Sequence, residues 1–153
     1  MSYFIKYLNK DTIFPKKELL SAVFLIALDG SKILAIKNER GWEIPGGHIE
    51  QGETYEEALI REVEEEAGAS FSDAKLLAVV ESSNQDIYKD KVMLIYVTKN
   101  FKLGKFKPSE DAFNREVIEV KEFLERYKEG ISNTVKKSLD LDEIIAQAQK
   151  LIL

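Results

Sequence analysis

GHIEQGETYEEALIREVEEEAGA, residues 47–69, is the stretch around which the rest of the chain is organised. Thr54 precedes Glu57 by three residues, the spacing of a capping box. In that motif the hydroxyl accepts from a first-turn N–H and the carboxylate reaches back to the cap's own N–H. The spacing predicts a helix from Tyr55, and Gly68 supplies the left-handed residue that ends it after Ala67. At about 100° per residue, Leu59, Val63 and Ala67 form one apolar stripe. Glu62 and Glu66 fall beside this stripe rather than opposite it, an unusual place for acids. Glu62, Glu65 and Glu66 stand at i, i+3 and i+4, so three carboxylates share one patch and repel each other unless positive charge sits among them. Carboxylate oxygens at that spacing suit a hard divalent cation, most simply Mg²⁺, with Mn²⁺ as the alternative.

Glutamates on a helix are ordinarily a solvated face, and spacing alone favours that reading. The whole string overturns it. Gly47, five residues, Glu53, seven residues, then Arg61-Glu62-Val63-x-Glu65-Glu66-x-Gly68-Ala69 resembles the signature of the Nudix hydrolases, Gly-x5-Glu-x7-Arg-Glu-U-x-Glu-Glu-x-Gly-U, with U an aliphatic residue. Every fixed position is met, and Ala69 stands where a bulkier aliphatic residue is usual.

The resemblance implies an α/β fold, an α/β/α sandwich with a mixed β-sheet. It also implies hydrolysis of a phosphoanhydride in a nucleoside diphosphate linked to another group. Glu62, Glu65 and Glu66 are then the expected metal ligands and chemical residues, with Glu66 the most necessary and Glu62 a ligand or the acceptor of the water's proton. Arg61 is expected to pair with Glu53 or to orient a ligand glutamate, and a backbone carbonyl from Gly46 or Gly47 to reach the metal. A further carboxylate from a later loop is a family habit, for which Glu110, Asp111 and Glu116 are the candidates, each otherwise an ordinary surface acid.

The chemistry fits those residue types. A phosphoanhydride resists attack because its oxygens repel a nucleophile, so a catalyst must neutralise them and deliver an activated water in line.

A length of 153 residues with 44% hydrophobic and 32% charged residues predicts a single globular domain over residues 1–153. The longest apolar run, residues 19–28, is far too short to cross a bilayer. With no cysteine and no secretory signal in MSYFIKYLNK, the expected location is the cytoplasm. A net charge of −5 argues against a broad nucleic-acid surface. It leaves a small nucleotide as the expected partner, with a capped or triphosphorylated RNA end still open and no membrane partner expected. The box does not select among a nucleoside triphosphate, an oxidised nucleotide, a dinucleotide and a nucleotide sugar, and the small acidic chain tilts toward free nucleotides. A sensing module that keeps the fold without turnover is the alternative, and its usual mark, a lost box glutamate, is absent. Oligomeric state is not readable, although Tyr3, Phe4 and Tyr7 could line a dimer contact or a base pocket.

Around the box, residues 2–9 alternate weakly and predict a short edge strand, followed by a loop with Lys16 and Lys17 after Pro15. Residues 20–28 and 32–36 predict a hairpin through Asp29-Gly30, placed in the middle of the sheet. Trp42-Glu43-Ile44 predicts a short strand stopped by a Pro45-Gly46-Gly47 loop whose glycines let backbone approach something closely. Residues 75–81 and 92–98 predict further strands, separated by a polar segment with Asn84, Gln85, Asp86 and Tyr88. Residues 101–108 predict a loop bordering a pocket, and 117–120 a strand leading into a helix over 121–128 that Gly130 ends. Val135, Leu139, Ile144, Ile145, Ala148 and Leu151 predict a C-terminal helix broken near Asp140. His48 is expected to be an exposed loop residue, Lys37 and Arg40 to be solvated or to meet phosphates, and Trp42 to pack.

Overall fold

The computed structural model describes residues 3–7, 20–82, 92–130 and 139–152. Lys16, Lys17, Asn84, Gln85, Asp86, Tyr88 and Val135, all named above, lie outside the described residues, as do the side chains of Tyr3 and Phe4. In chain order the strands and helices are β1 Tyr3–Tyr7, β2 Leu20–Asp29, β3 Lys32–Asn38, β4 Gly41–Glu43, β5 Gly46–His48, α1 Tyr55–Ala67, β6 Ala69–Ser72, β7 Lys75–Ser82, β8 Val92–Thr98, β9 Asn100–Leu103, β10 Asn114–Glu119, α2 Val120–Lys128 and α3 Leu141–Ile152.

The main sheet runs β1-β7-β8-β2-β3-β10, with β4 on β3 and β5 on β2. It is mixed, because β2 and β8 run parallel while the other pairings are antiparallel. Burial on both faces explains why β2 and β8 read as nearly unbroken apolar runs. From β2, Phe24, Ile26 and Leu28 enter one core while Val23, Leu25 and Ala27 enter the other. The helix α1 covers the second face with Ala58, Leu59, Val63 and Ala67. The helices α2 and α3 cover the first with Phe123, Tyr127, Ile144, Ile145 and Ala148. This is the expected α/β/α sandwich. Leu59 and Val63 are fully buried, and each such side chain contributes about 1.5–3 kcal/mol by leaving water.

The hairpin from β2 to β3 forms as read, yet the two strands pair only through Leu28–Ile33 and Asp29–Lys32. The strand β3 then departs to pair with β10 over six positions. So β2 is central, but β3 lies next to the edge strand β10 and not in the middle. The vacated edge of β2 is taken by β5, with Ala22, Val23 and Phe24 opposite His48, Gly47 and Gly46. Between the two pairings the Leu25 amide donates to the Pro45 carbonyl at 3.0 Å. Gly46 and Gly47 are therefore strand residues and not a loop, and the short strand before them is Gly41–Glu43 rather than 42–44. Three-residue strands carry no readable alternation, so the proline and glycines dominate their sequence signal.

Other boundaries moved for similar reasons. Phe101 to Leu103, read as loop, pair with β6 in a separate two-stranded sheet, and residues 104–113 form the loop that remains. β10 starts at Asn114, three residues earlier than expected, and α2 begins at Val120. The C-terminal helix starts after Asp140, whose side chain accepts from the Asp142 amide at 3.1 Å, but Leu151 is 41% exposed and outside the apolar stripe. β1 is an edge strand on β7, and Tyr7 packs partly buried against the core.

Candidate active site

Two caps fix the helix that carries the acids. Thr54 accepts from the Glu57 amide at 3.1 Å while Glu57 accepts from the Thr54 amide at 3.2 Å, closing the predicted capping box. At the other end Gly68 has φ +60° and donates to the Glu64 carbonyl at 2.9 Å. A Cβ there would meet the carbonyl oxygen of Lys105 and sit 2.9 Å from the Phe106 Cα, so both backbone conformation and close approach require glycine.

Midway along the helix, Arg61 gathers the acids. Its Nε donates to Glu53 Oε2 at 2.7 Å and its Nη2 to Glu53 Oε1 at 2.9 Å, a bidentate pair. Nη1 reaches Glu62 at 2.9 Å and Glu65 at 3.2 Å, and Nη2 also donates to the His48 carbonyl at 3.0 Å. The guanidinium thus contacts Glu53 and the box glutamates together. Glu53 is held in turn by its own loop, since its Oε1 accepts from the Glu50 amide at 2.8 Å. The Arg61 hydrogen bonds first, and the Glu50 amide second, hold the Glu53 carboxyl below the usual glutamate range. The same bond to Glu53 raises the Arg61 guanidinium further above its already high value, against the opposing effect of burial.

Beside this pair the second acid group forms around the glycine strand. Glu66 is buried, 7% exposed, and its Oε1 accepts from the Gly46 amide at 2.8 Å. A Cβ on Gly47 would fall 2.6 Å from the Glu62 carboxylate. On Gly46 it would strike the Val23 carbonyl oxygen and the Phe24 ring, where φ is +154°. The glycines thus let β5 lie flat between β2 and the carboxylates of α1. His48 is exposed as expected, but it ends the strand β5, paired with Ala22, instead of lying in a loop, and it contributes its carbonyl to Arg61.

The donor set suits a hard divalent cation, being carboxylate oxygens with backbone carbonyls nearby. Glu50, Glu53, Glu62 and Glu65 all lie within 4 Å of one guanidinium, at 3.6, 2.7, 2.9 and 3.2 Å, and Glu66 adds a further buried carboxylate. Glu50 and Glu65 are exposed, but one positive charge against the shielded Glu53, Glu62 and Glu66 still leaves an excess of negative charge that a bound cation would offset. As arranged, with Arg61 drawing Glu62 and Glu65 to one side and Gly46 holding Glu66 on the other, no three acids among the described residues converge at ligating distance.

The late acids separate. Asp111 borders the same open cleft as Glu65, along the outer side of α1 opposite Lys102, Lys105 and Lys107; this is the pocket that the 104–113 loop helps to wall. Glu110 is exposed. Glu116 is committed elsewhere, bound to Arg126 at 2.6 Å on the sheet face opposite α1.

Lys37 and Arg40 are neither simply solvated nor grouped with the box. Lys37 Nζ lies 5.8 Å from the Trp42 ring centre, and Arg126 packs on the same ring at 4.8 Å. Trp42 packs in the core as expected. Arg40 Nε donates to Glu43 at 3.4 Å. The sequence marks Glu43 only as part of a short strand, yet it is 1% exposed and also accepts from the Asn38 side chain at 3.2 Å. Its only signal was a carboxylate between two packing residues in a strand too short to show a period. Arg115 was missed as well, because nothing in the sequence ties β10 to the end of α1.

A profile of the NUDIX domain family matches residues 18–137. The ADP-ribose pyrophosphatase of Methanocaldococcus jannaschii is 29% identical over 78% of this chain and 70% of its own. The 8-oxo-dGTP diphosphatase of Proteus vulgaris is 49% identical, over 26% of this chain and 35% of its own. Among solved structures, a mutant of the Bacillus subtilis pyrophosphohydrolase BsRppH superposes with a TM-score of 0.67 at 25% identity, covering 97% of this chain and 89% of that one.

Proposed function

The chain belongs to the NUDIX family, hydrolases of pyrophosphate bonds, and we propose that it cleaves, with Mg²⁺, a phosphoanhydride in a nucleoside diphosphate linked to a further group, a nucleoside triphosphate or related free nucleotide. The observation that carries this reading is the buried Glu66 carboxylate held on the Gly46 amide, with Glu62 alongside Gly47. A buried carboxylate beside a strand that carries no side chains supports reading this corner as a site for a cation and a phosphate.

Glu62, Glu65 and Glu66, with a carbonyl of Gly46 or Gly47, would hold the cation. When bound, Mg²⁺ screens phosphate charge and acidifies water. A box glutamate takes the proton of the attacking water. Arg61 keeps Glu62 and Glu65 oriented, and Glu53 keeps Arg61 in its rotamer. Free nucleotides are favoured by the acidic chain and by kinship with an ADP-ribose pyrophosphatase and an 8-oxo-dGTP diphosphatase.

The test is phosphate or pyrophosphate release across a panel of nucleoside triphosphates, oxidised nucleotides, ADP-ribose, nucleotide sugars and triphosphorylated RNA, with and without Mg²⁺. Metal-dependent release from at least one nucleotide is expected. No turnover on any of them by folded protein would leave the sensing alternative in its place.

A further inference from the structure

The last turn of α1 poses an electrostatic problem that the helix does not solve for itself. Glu64, Glu65 and Glu66 occupy it, and it contains no basic residue. A helix C-terminus already bears a partial negative charge from unpaired carbonyls, so carboxylates there are unfavourable and cations favourable. The missing cation arrives from a different element. Arg115, in β10, sits opposite Ile36 in β3, the register position that faces α1, while its neighbour Glu116 faces away toward Arg126. Its Nη1 donates to the carbonyls of Ala67 at 2.9 Å, Gly68 at 3.2 Å and Gly104 at 2.9 Å. The guanidinium also packs over the Phe106 ring at 5.4 Å.

These bonds join three parts of the chain. The Gly104 amide donates to the Gly68 carbonyl at 2.7 Å, so the start of the 104–113 loop is tied to the helix end directly and again through Arg115. Only one residue separates Ala67 from Glu65, and none separates it from Glu66. Glu66 has to meet the Gly46 amide from a turn whose charges and dipole both favour fraying.

We propose that Arg115 is a positioning residue of the metal site, holding the final turn of α1 by its carbonyls so that Glu66 meets the Gly46 amide and Glu65, one residue before it, keeps its place beside Arg61. This rests on the reading that the box glutamates bind a divalent cation. The residue touches neither substrate nor metal and acts through the helix end. Lysine would keep the charge and a donor nitrogen but lose the flat guanidinium that packs over the Phe106 ring while one of its nitrogens serves the carbonyls.

The experiment is Mn²⁺ binding, read from the free-ion electron paramagnetic resonance signal. It uses wild type, Arg115→Met, Arg115→Lys and, as a control for general loosening, Arg126→Met, whose arginine braces α2 on the other sheet face. All are compared at a temperature where circular dichroism shows them folded. Arg115→Met is expected to bind Mn²⁺ about tenfold or more weakly, the usual effect of removing an outer-shell support. Arg115→Lys is expected to recover part of that loss, and Arg126→Met to match wild type.

A folded Arg115→Met with wild-type affinity would overturn the proposal, and so would an equal loss in Arg126→Met. If Arg115→Met does not fold, Arg115→Lys decides the matter: weakened binding supports the proposal, and wild-type binding overturns it. Wild type that fails to bind Mn²⁺ removes the metal reading and this proposal together. Wild type that binds while the Arg115 variants bind equally well removes this proposal alone.

Discussion

Glu66 Oε1 lies 2.8 Å from the amide nitrogen of Gly46, so an acid on α1 and a strand twenty residues earlier are locked by one charge-assisted hydrogen bond. Glu66→Gln keeps the shape and an acceptor for that bond but removes the charge. Turnover is expected to fall by about 100-fold or more, the scale on which acid, base or metal supports act. The thermal midpoint should stay within a few degrees of wild type. Steady-state kinetics beside a melting curve check both halves.

The two glycines of β5 make opposite predictions. Gly47→Ala puts a methyl 2.6 Å from the Glu62 carboxylate, a flexible side chain end that can swing away, so activity should drop about tenfold while the fold survives. Gly46→Ala places it against the Val23 carbonyl and Phe24 at φ +154°, where neither backbone nor neighbour can yield. It should cost about 3 kcal/mol or more, read as a lowered urea midpoint.

Arg61→Lys retains a positive charge but cannot bond Glu53 bidentately and reach Glu62, Glu65 and the His48 carbonyl at once. Loss in kcat by at least about tenfold, with a smaller change in KM, is expected because the acids lose orientation rather than the substrate losing a contact.

Acid should weaken the fold partly through Glu53. Its folded carboxyl lies below the ordinary glutamate value, so it binds its proton more readily when unfolded. The stabilisation is then complete above about pH 4.3 and is lost as pH falls through the depressed folded value. Urea midpoints measured from pH 6 to pH 3 should fall for wild type and fall less steeply for Glu53→Gln over the acid end.

Much of this was legible in the sequence, and the reasons are local. The helix α1 begins and ends where Thr54, Glu57 and Gly68 put it, because capping is decided by side chains within a few residues. The long strands β2, β7 and β8 were legible through apolar runs that only a doubly covered sheet produces. What escaped depended on distant partners. β5 and β6 are strands because β2 and β9 offer them hydrogen bonds. Residues 101–103 follow for the same reason. Glu43 and Arg115 were hidden likewise: a buried carboxylate answered by Asn38 and Arg40, and an arginine bonded to carbonyls 47 and 48 residues away, leave no periodic trace. In the site itself, Arg61 with Glu53 was expected, whereas the strand conformation of the glycines was not.

The divided edge of β2, shared end to end by β3 and β5, makes the backbone beside the Glu62 and Glu66 carboxylates part of the innermost ladder of the molecule. Such a segment cannot open without parting the centre of the sheet. Heat should therefore extinguish turnover and tertiary structure at one temperature, instead of silencing the enzyme while the rest of it still stands.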